Sequence, residues 1–128
     1  VIFHAFHPEA EAELEDAAVF YESRMHGLGK SFAAEVERTI TLIREFPDAG
    51  SPVGLSRRRV LIDRFPYSVI YRHDPDAVVI LAVAHQRRRP GYWRRRKYHA
   101  IRPSPERTLA RSLDDLRNQA EIIGITQA

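Results

Sequence analysis

Seven arginines and three rings stand out as chemically capable groups. Arg57, Arg58, Arg59 and Arg64 precede a long apolar run, and Arg87, Arg88 and Arg89 follow it, with His85, Tyr92 and Trp93 close by. Guanidinium groups meet phosphate oxygens through paired donors, and aromatic rings stack on nucleobases. Metal-free cleavage of RNA needs a base for the 2′-hydroxyl, cations for the pentacoordinate phosphate and a donor for the leaving oxygen. His85, the pair Arg59 and Arg87, and Tyr92 have the chemistry for those three roles. Each also has an ordinary structural use. His85 suits the cap of a strand end, Arg57–Arg59 suit a charged strand edge that resists aggregation, and Tyr92 and Trp93 suit the rim of a core. As a binding rather than a catalytic surface, the set is Arg57, Arg58, Arg59, Arg64, Arg87, Arg88, Arg89, Tyr92 and Trp93.

Other chemistries find little support. The chain has no phosphate-cradling glycine loop, no nucleophile elbow and no paired His-Glu metal motif. Its six histidines (His4, His7, His26, His73, His85 and His99) are not spaced as helical ligand pairs, and it has no cysteine. The expectation is therefore no metal, no cofactor and no disulfide framework. Glu9, Glu11, Glu13, Glu15 and Asp16 read as a solvated helix face rather than as an acid/base pair.

Charge is unevenly spread. Residues 1–50 carry 4 basic and 10 acidic side chains, residues 51–100 carry 12 and 3, and residues 101–128 carry 4 of each. An acidic end and a strongly basic end are expected, with the basic end directed at nucleic acid or an acidic protein surface. The 128 residues suffice for one domain with a real core. No apolar run approaches the roughly 18 residues of a membrane span, and the first residues lack the pattern of a signal peptide. Together with the absent cysteines this fits the cytoplasm.

The elements that would position the basic groups follow from periodicity. Val1–Phe6 reads as a first strand. His7-Pro8-Glu9 opens a helix over 8–25, since proline suits the first turn and acidic residues suit the helix dipole. Ala10, Leu14, Ala17, Ala18, Tyr21 and Met25 supply its apolar stripe. Gly27 and Gly29 interrupt it, and Phe32, Val36, Ile40 and Ile43 define a second helix over 29–45. Pro47 ends that helix, and 48–54 reads as a loop. Three strand-like segments follow at 57–64, 66–73 and 77–85, with Asp74-Pro75-Asp76 as a turn. Val78–Ala84, apolar on both faces, is expected to be the central strand. The fold class is α+β: an N-terminal strand and an antiparallel helical hairpin packed on a twisted, mainly antiparallel sheet, in the order β-α-α-β-β-β. Residues 1–95 form this unit. Residues 96–128 read as a basic linker and an amphipathic helix over about 105–122, with Leu109, Leu113, Leu116, Ala120 and Ile123 on one stripe. That stripe is expected to pack on the body or on a second copy, giving a homo-oligomer, or to dock another protein.

Five segments in this order resemble the RelE/ParE superfamily of type II toxin–antitoxin toxins. They are His7-Pro8-Glu9-Ala10, Leu28-Gly29-Lys30-Ser31-Phe32, Phe46-Pro47, Phe65-Pro66-Tyr67-Ser68-Val69-Ile70-Tyr71-Arg72 and Val83-Ala84-His85-Gln86-Arg87-Arg88-Arg89-Pro90-Gly91-Tyr92-Trp93. The resemblance covers about residues 1–95. It implies a small growth-arresting toxin of the plasmid-stabilisation kind, neutralised by a cognate antitoxin that wraps it with a flexible segment.

The superfamily divides by target. RelE-like members cleave mRNA on the ribosome with basic residues on the sheet and a terminal aromatic, whereas ParE-like members poison DNA gyrase. By resemblance, Arg59 and Arg87 match two of the ribonuclease cations, and Tyr92 or Trp93 matches the aromatic. Leu61 and Ser68 stand where further cations belong. Loss of such a cation costs on the order of 3 kcal/mol of transition-state stabilisation. The resemblance therefore favours a gyrase-binding, ParE-like toxin. The alternatives are a ribosome-dependent endoribonuclease with Arg59, His85, Arg87 and Tyr92 as its active surface, and an inactive binding module.

Overall fold

The structure, a computed structural model, describes residues 2–98. The sequence-expected helix over 105–122, and any assembly through it, lie outside the described residues. Strand β1 (Phe3–Phe6) leads into helix α1 (Pro8–Arg24), helix α2 (Leu28–Glu45), a two-residue strand β2 (Ser51–Pro52), then β3 (Arg58–Leu61), β4 (Tyr67–Asp74) and β5 (Ala77–His85). The sheet order is β1-β5-β4-β3-β2. Only β1 and β5 run parallel, and the other pairings are antiparallel.

The start of α1 follows its sequence signal. Pro8 occupies the first turn, and the His7 ring nitrogen accepts the Glu9 N–H at 3.1 Å, which satisfies one of the orphan donors of a helix start. The hairpin turn is held by Glu22, a buried carboxylate that accepts the N–H groups of Gly27 and Gly29 at 2.8 and 2.9 Å. Gly27 takes a left-handed φ of 85°. Gly29 lies inside α2 and lets the two helices close up, since a Cβ there would sit 2.5 Å from the Ala18 carbonyl oxygen.

The helices cover one face of the sheet. Leu14, Phe32, Val36, Ile40 and Ile43 pack with Val69, Tyr71, Val78, Ile80 and Val83 in the main core. A register shift pairs Ile70 with Ala82 but Tyr71 with Ile80, so that Leu81 is an extra residue in β5. This bulge resets the alternation, and Ile70, Ala82 and Ala84 belong to a second cluster on the other face.

Three expectations change in detail. The segment expected as strand 57–64 pairs only over Arg58–Leu61, because the chain turns at Ile62–Phe65 and Arg64 adopts a left-handed φ of 72°. The loop expected at 48–54 contains β2, whose Ser51 and Pro52 pair with Arg59 and Arg58. β5 is buried on both faces as expected, yet β4 holds the middle of the sheet, because β2 adds a fifth strand on its far side.

Candidate functional site

The face of the sheet away from the helices carries Arg59, whereas Arg58 and His85 are in register with Tyr71 and Tyr67, which pack with the helices. In register, Arg59 lies opposite Ile70, which lies opposite Ala82, and Leu61 lies opposite Ser68, which lies opposite Ala84. Short turns after β5 bring residues 86–98 back over this face, and Trp93 packs on Ile70, Ala82 and Ala84 while only 4% exposed. Between this arm and β3 is an open depression of about 230 Å³, lined among others by Arg59, Leu61, Ser68, His85, Arg88 and Arg89.

Glu13 is the central anchor of the arm, and Arg72 Nη2 ties its end by donating to the Tyr98 carbonyl at 2.7 Å. Glu13 of α1 receives a forked pair of hydrogen bonds from Arg96, with Nη1 at 2.9 Å and Nη2 at 3.0 Å. It also accepts the Tyr92 hydroxyl at 2.6 Å and the Val83 backbone N–H at 3.0 Å. The Arg88 guanidinium lies 3.9 Å from the centre of the Tyr92 ring, and that of Arg96 lies 5.0 Å from it. Burial, and then the bond to the Glu13 carboxylate, push the Tyr92 phenol well above its ordinary range. Arg96 reaches Glu9 as well, at 3.5 Å. The expectation of a solvated acidic face is thus corrected at Glu13. A helix-borne carboxylate beside an arginine-rich arm is drawn into charge-assisted bonds.

The expected basic groups divide by environment. Arg87 and Arg89 are exposed beyond β5, as are Arg59 on β3 and Arg64 in its turn; none of the four has an ion pair among the described residues. Arg88 is partly committed to the Tyr92 ring. Arg58 serves the fold: its Nη1 donates to the carbonyls of Asp48 and Gly50 at 3.2 and 2.8 Å. Arg57 is half-buried, and burial followed by the nearby Arg72 charge lowers its pKa. Trp93 offers little ring surface to a partner, because its indole is covered by the second cluster.

Of Arg59, His85, Arg87 and Tyr92, three (Arg59, His85 and Tyr92) line the depression, and Arg87 is not among its lining residues. His85 pairs in register with Tyr67, their rings meet edge to face at 5.0 Å, and Tyr67 packs against Phe32 on the helix side. The His85 Nδ1 accepts the Arg87 backbone N–H at 3.0 Å, which is the strand-capping use of this side chain. The Tyr92 hydroxyl proton is directed at Glu13 rather than into the depression.

Sequence reasoning missed Glu13 and Arg96 as partners. The signal that was available is the i, i+4 pair Glu9 and Glu13 on α1 together with the surplus of arginines after β5. Among the described residues there is no group of three or more histidines or carboxylates that could hold a metal ion. No helix among them is long and apolar enough to cross a membrane.

No curated protein matches the sequence. A solved structure described as the chromosomal ParDE toxin–antitoxin system of P. aeruginosa contains a chain of similar fold. It has a TM-score of 0.54 at 17% identity, over 66% of this chain and 95% of that one. The family model for the ParE toxin of the type II toxin–antitoxin system parDE matches residues 5–90, from β1 through β5 and the arginine tip. On this match, spanning most of the described fold, the chain belongs to the ParE toxin family of type II toxin–antitoxin systems.

Proposed function

We propose that this chain arrests growth by binding and poisoning DNA gyrase in the cytoplasm, and that it presents the arginine tip and open sheet face to its target. Family membership implies a cognate antitoxin partner. In this reading the antitoxin neutralises the chain by covering the basic tip with acidic residues of a flexible segment. The observation that carries the gyrase reading is the row Leu61–Ser68–Ala84, where a phosphate-cleaving surface would need cations. The engagement of His85 with the Arg87 backbone and of Tyr92 with Glu13 supports it further. Exposed Arg59, Arg87 and Arg89 then supply long-range attraction and contact rather than catalysis.

The test is to induce the full chain without antitoxin and follow thymidine and methionine incorporation over the first minutes. DNA synthesis falling first, with translation continuing, is the expected outcome. Methionine incorporation collapsing first would replace this reading with a ribosome-dependent ribonuclease using Arg59, His85, Arg87 and Tyr92. No change in either, with soluble product present, would make the chain an inactive binding module.

A further inference from the structure

The free edge of β5 is finished by side chains rather than by a strand. β1 pairs with β5 only as far as Ile80, where the His7 N–H donates to the Ile80 carbonyl at 2.8 Å and the chain departs into α1. Just past that point the Leu81 carbonyl accepts from Arg96 Nη1 at 3.0 Å, and the Val83 N–H donates to Glu13 at 3.0 Å. The Glu13–Arg96 pair therefore takes two backbone positions that a neighbouring strand would occupy. By the same contacts it fixes the arm, because Tyr92 and Arg96 share the one carboxylate and Arg88 stacks on Tyr92. The side chains of Glu13 and Arg96 are 16% and 10% exposed, so solvent screens this pair less than a surface ion pair.

We infer that Glu13 is a positioning residue for the target-binding tip: it holds the arm 90–98 on the edge of β5 and so preorganises Arg88 and its neighbours for the partner. An arm released from Glu13 would have to be ordered again on binding, and affinity would fall by that cost. The inference rests on the reading of the tip as the target surface.

The chain provides its own reporter, since Trp93 is its one tryptophan, lies on the arm and is buried. In Glu13→Gln, measured on the full chain, the Trp93 emission should move to the red and acrylamide quenching should rise, with helical circular dichroism retained. Inhibition of gyrase supercoiling should weaken about tenfold. The substitution removes a negative charge, which alone would strengthen approach to an anionic surface, so a loss of potency is not a charge effect. Unchanged fluorescence overturns the clasp, and a freed Trp93 with unchanged potency overturns the positioning role. A wild-type chain that leaves supercoiling untouched overturns the gyrase reading alone, because the dose needed for growth arrest still reports on Glu13. A wild-type chain that arrests nothing overturns both. If Glu13→Gln does not fold, Arg96→Met removes the forked pair but leaves Glu13 bonded to Tyr92 and Val83, so a smaller red shift of Trp93 is expected. Its potency is compared with that of Arg95→Met, an exposed position that loses the same charge, and no difference from Arg95→Met in either readout overturns the proposal.

Discussion

The Tyr71 hydroxyl donates to the Pro47 carbonyl at 2.6 Å across the main core. It also accepts the Gly50 N–H at 3.1 Å, so one fully buried phenol pins both ends of the turn between α2 and β2. A Cβ at Gly50 would lie 2.8 Å from that hydroxyl oxygen. Tyr71→Phe keeps the ring but leaves the Pro47 carbonyl and Gly50 N–H without their partner. It should cost about 1–3 kcal/mol in urea unfolding. An unchanged midpoint would mean that water replaces the hydroxyl at no cost.

The helical hairpin depends on an absent side chain. Gly29→Ala would place a methyl 2.5 Å from the backbone oxygen of Ala18, and that backbone cannot move without parting α1 from α2. Destabilisation of about 1–3 kcal/mol is expected from overpacking. A thermal midpoint equal to that of the wild type would show that the helices can separate freely.

Both positions bear on what a sequence can disclose. Helix α2 was legible because Phe32, Val36, Ile40 and Ile43 repeat at helical spacing and all are buried. β5 was legible because its run of apolar residues has both faces covered. Met25, counted with the stripe of α1, is instead the exposed residue that ends the helix. β2 was hidden because two residues, one of them proline, carry no periodicity. The candidate site was legible by residue type alone. Seven arginines announced a basic surface, but which of them hold the fold depends on contacts such as Arg58 to Gly50, eight residues away. The Glu13–Arg96 pair spans 83 residues, and no local pattern encodes it.

Acid should weaken the fold through His4. Its ring is buried in β1, and burial, with the Arg44 charge second, lowers its pKa from 6.5 to about 4. The unfolded chain thus binds this proton more tightly than the folded chain. Stability from neutral His4 is fully present above pH 6.5 and is lost progressively as the pH falls to about 4. The total is on the order of 3 kcal/mol. Denaturation midpoints measured from pH 8 to pH 4 should decline more steeply in the wild type than in His4→Gln. Equal slopes would assign the acid sensitivity to other groups.

Arg58 and Arg87 are both arginines of the basic half, and they should fail in opposite ways. Arg58 Nη1 bonds two backbone carbonyls of the turn that Tyr71 pins, so Arg58→Ala should lose about 1–2 kcal/mol of stability. Its direct effect on target binding should be small. Arg87 and Arg89 are exposed and have no ion pair among the described residues, so Arg87→Glu with Arg89→Glu should leave the unfolding midpoint within about 0.5 kcal/mol. The same double variant removes two cations from the tip and adds two anions. Its association with an anionic partner should slow, and the salt dependence of that association should flatten, because fewer charges remain to be screened. Surface-plasmon kinetics against gyrase and against the antitoxin at two salt concentrations would measure both effects. A double variant with wild-type association rates at low salt would place the electrostatic contact elsewhere on the molecule, with Arg59 and Arg64 as the next cations to reverse.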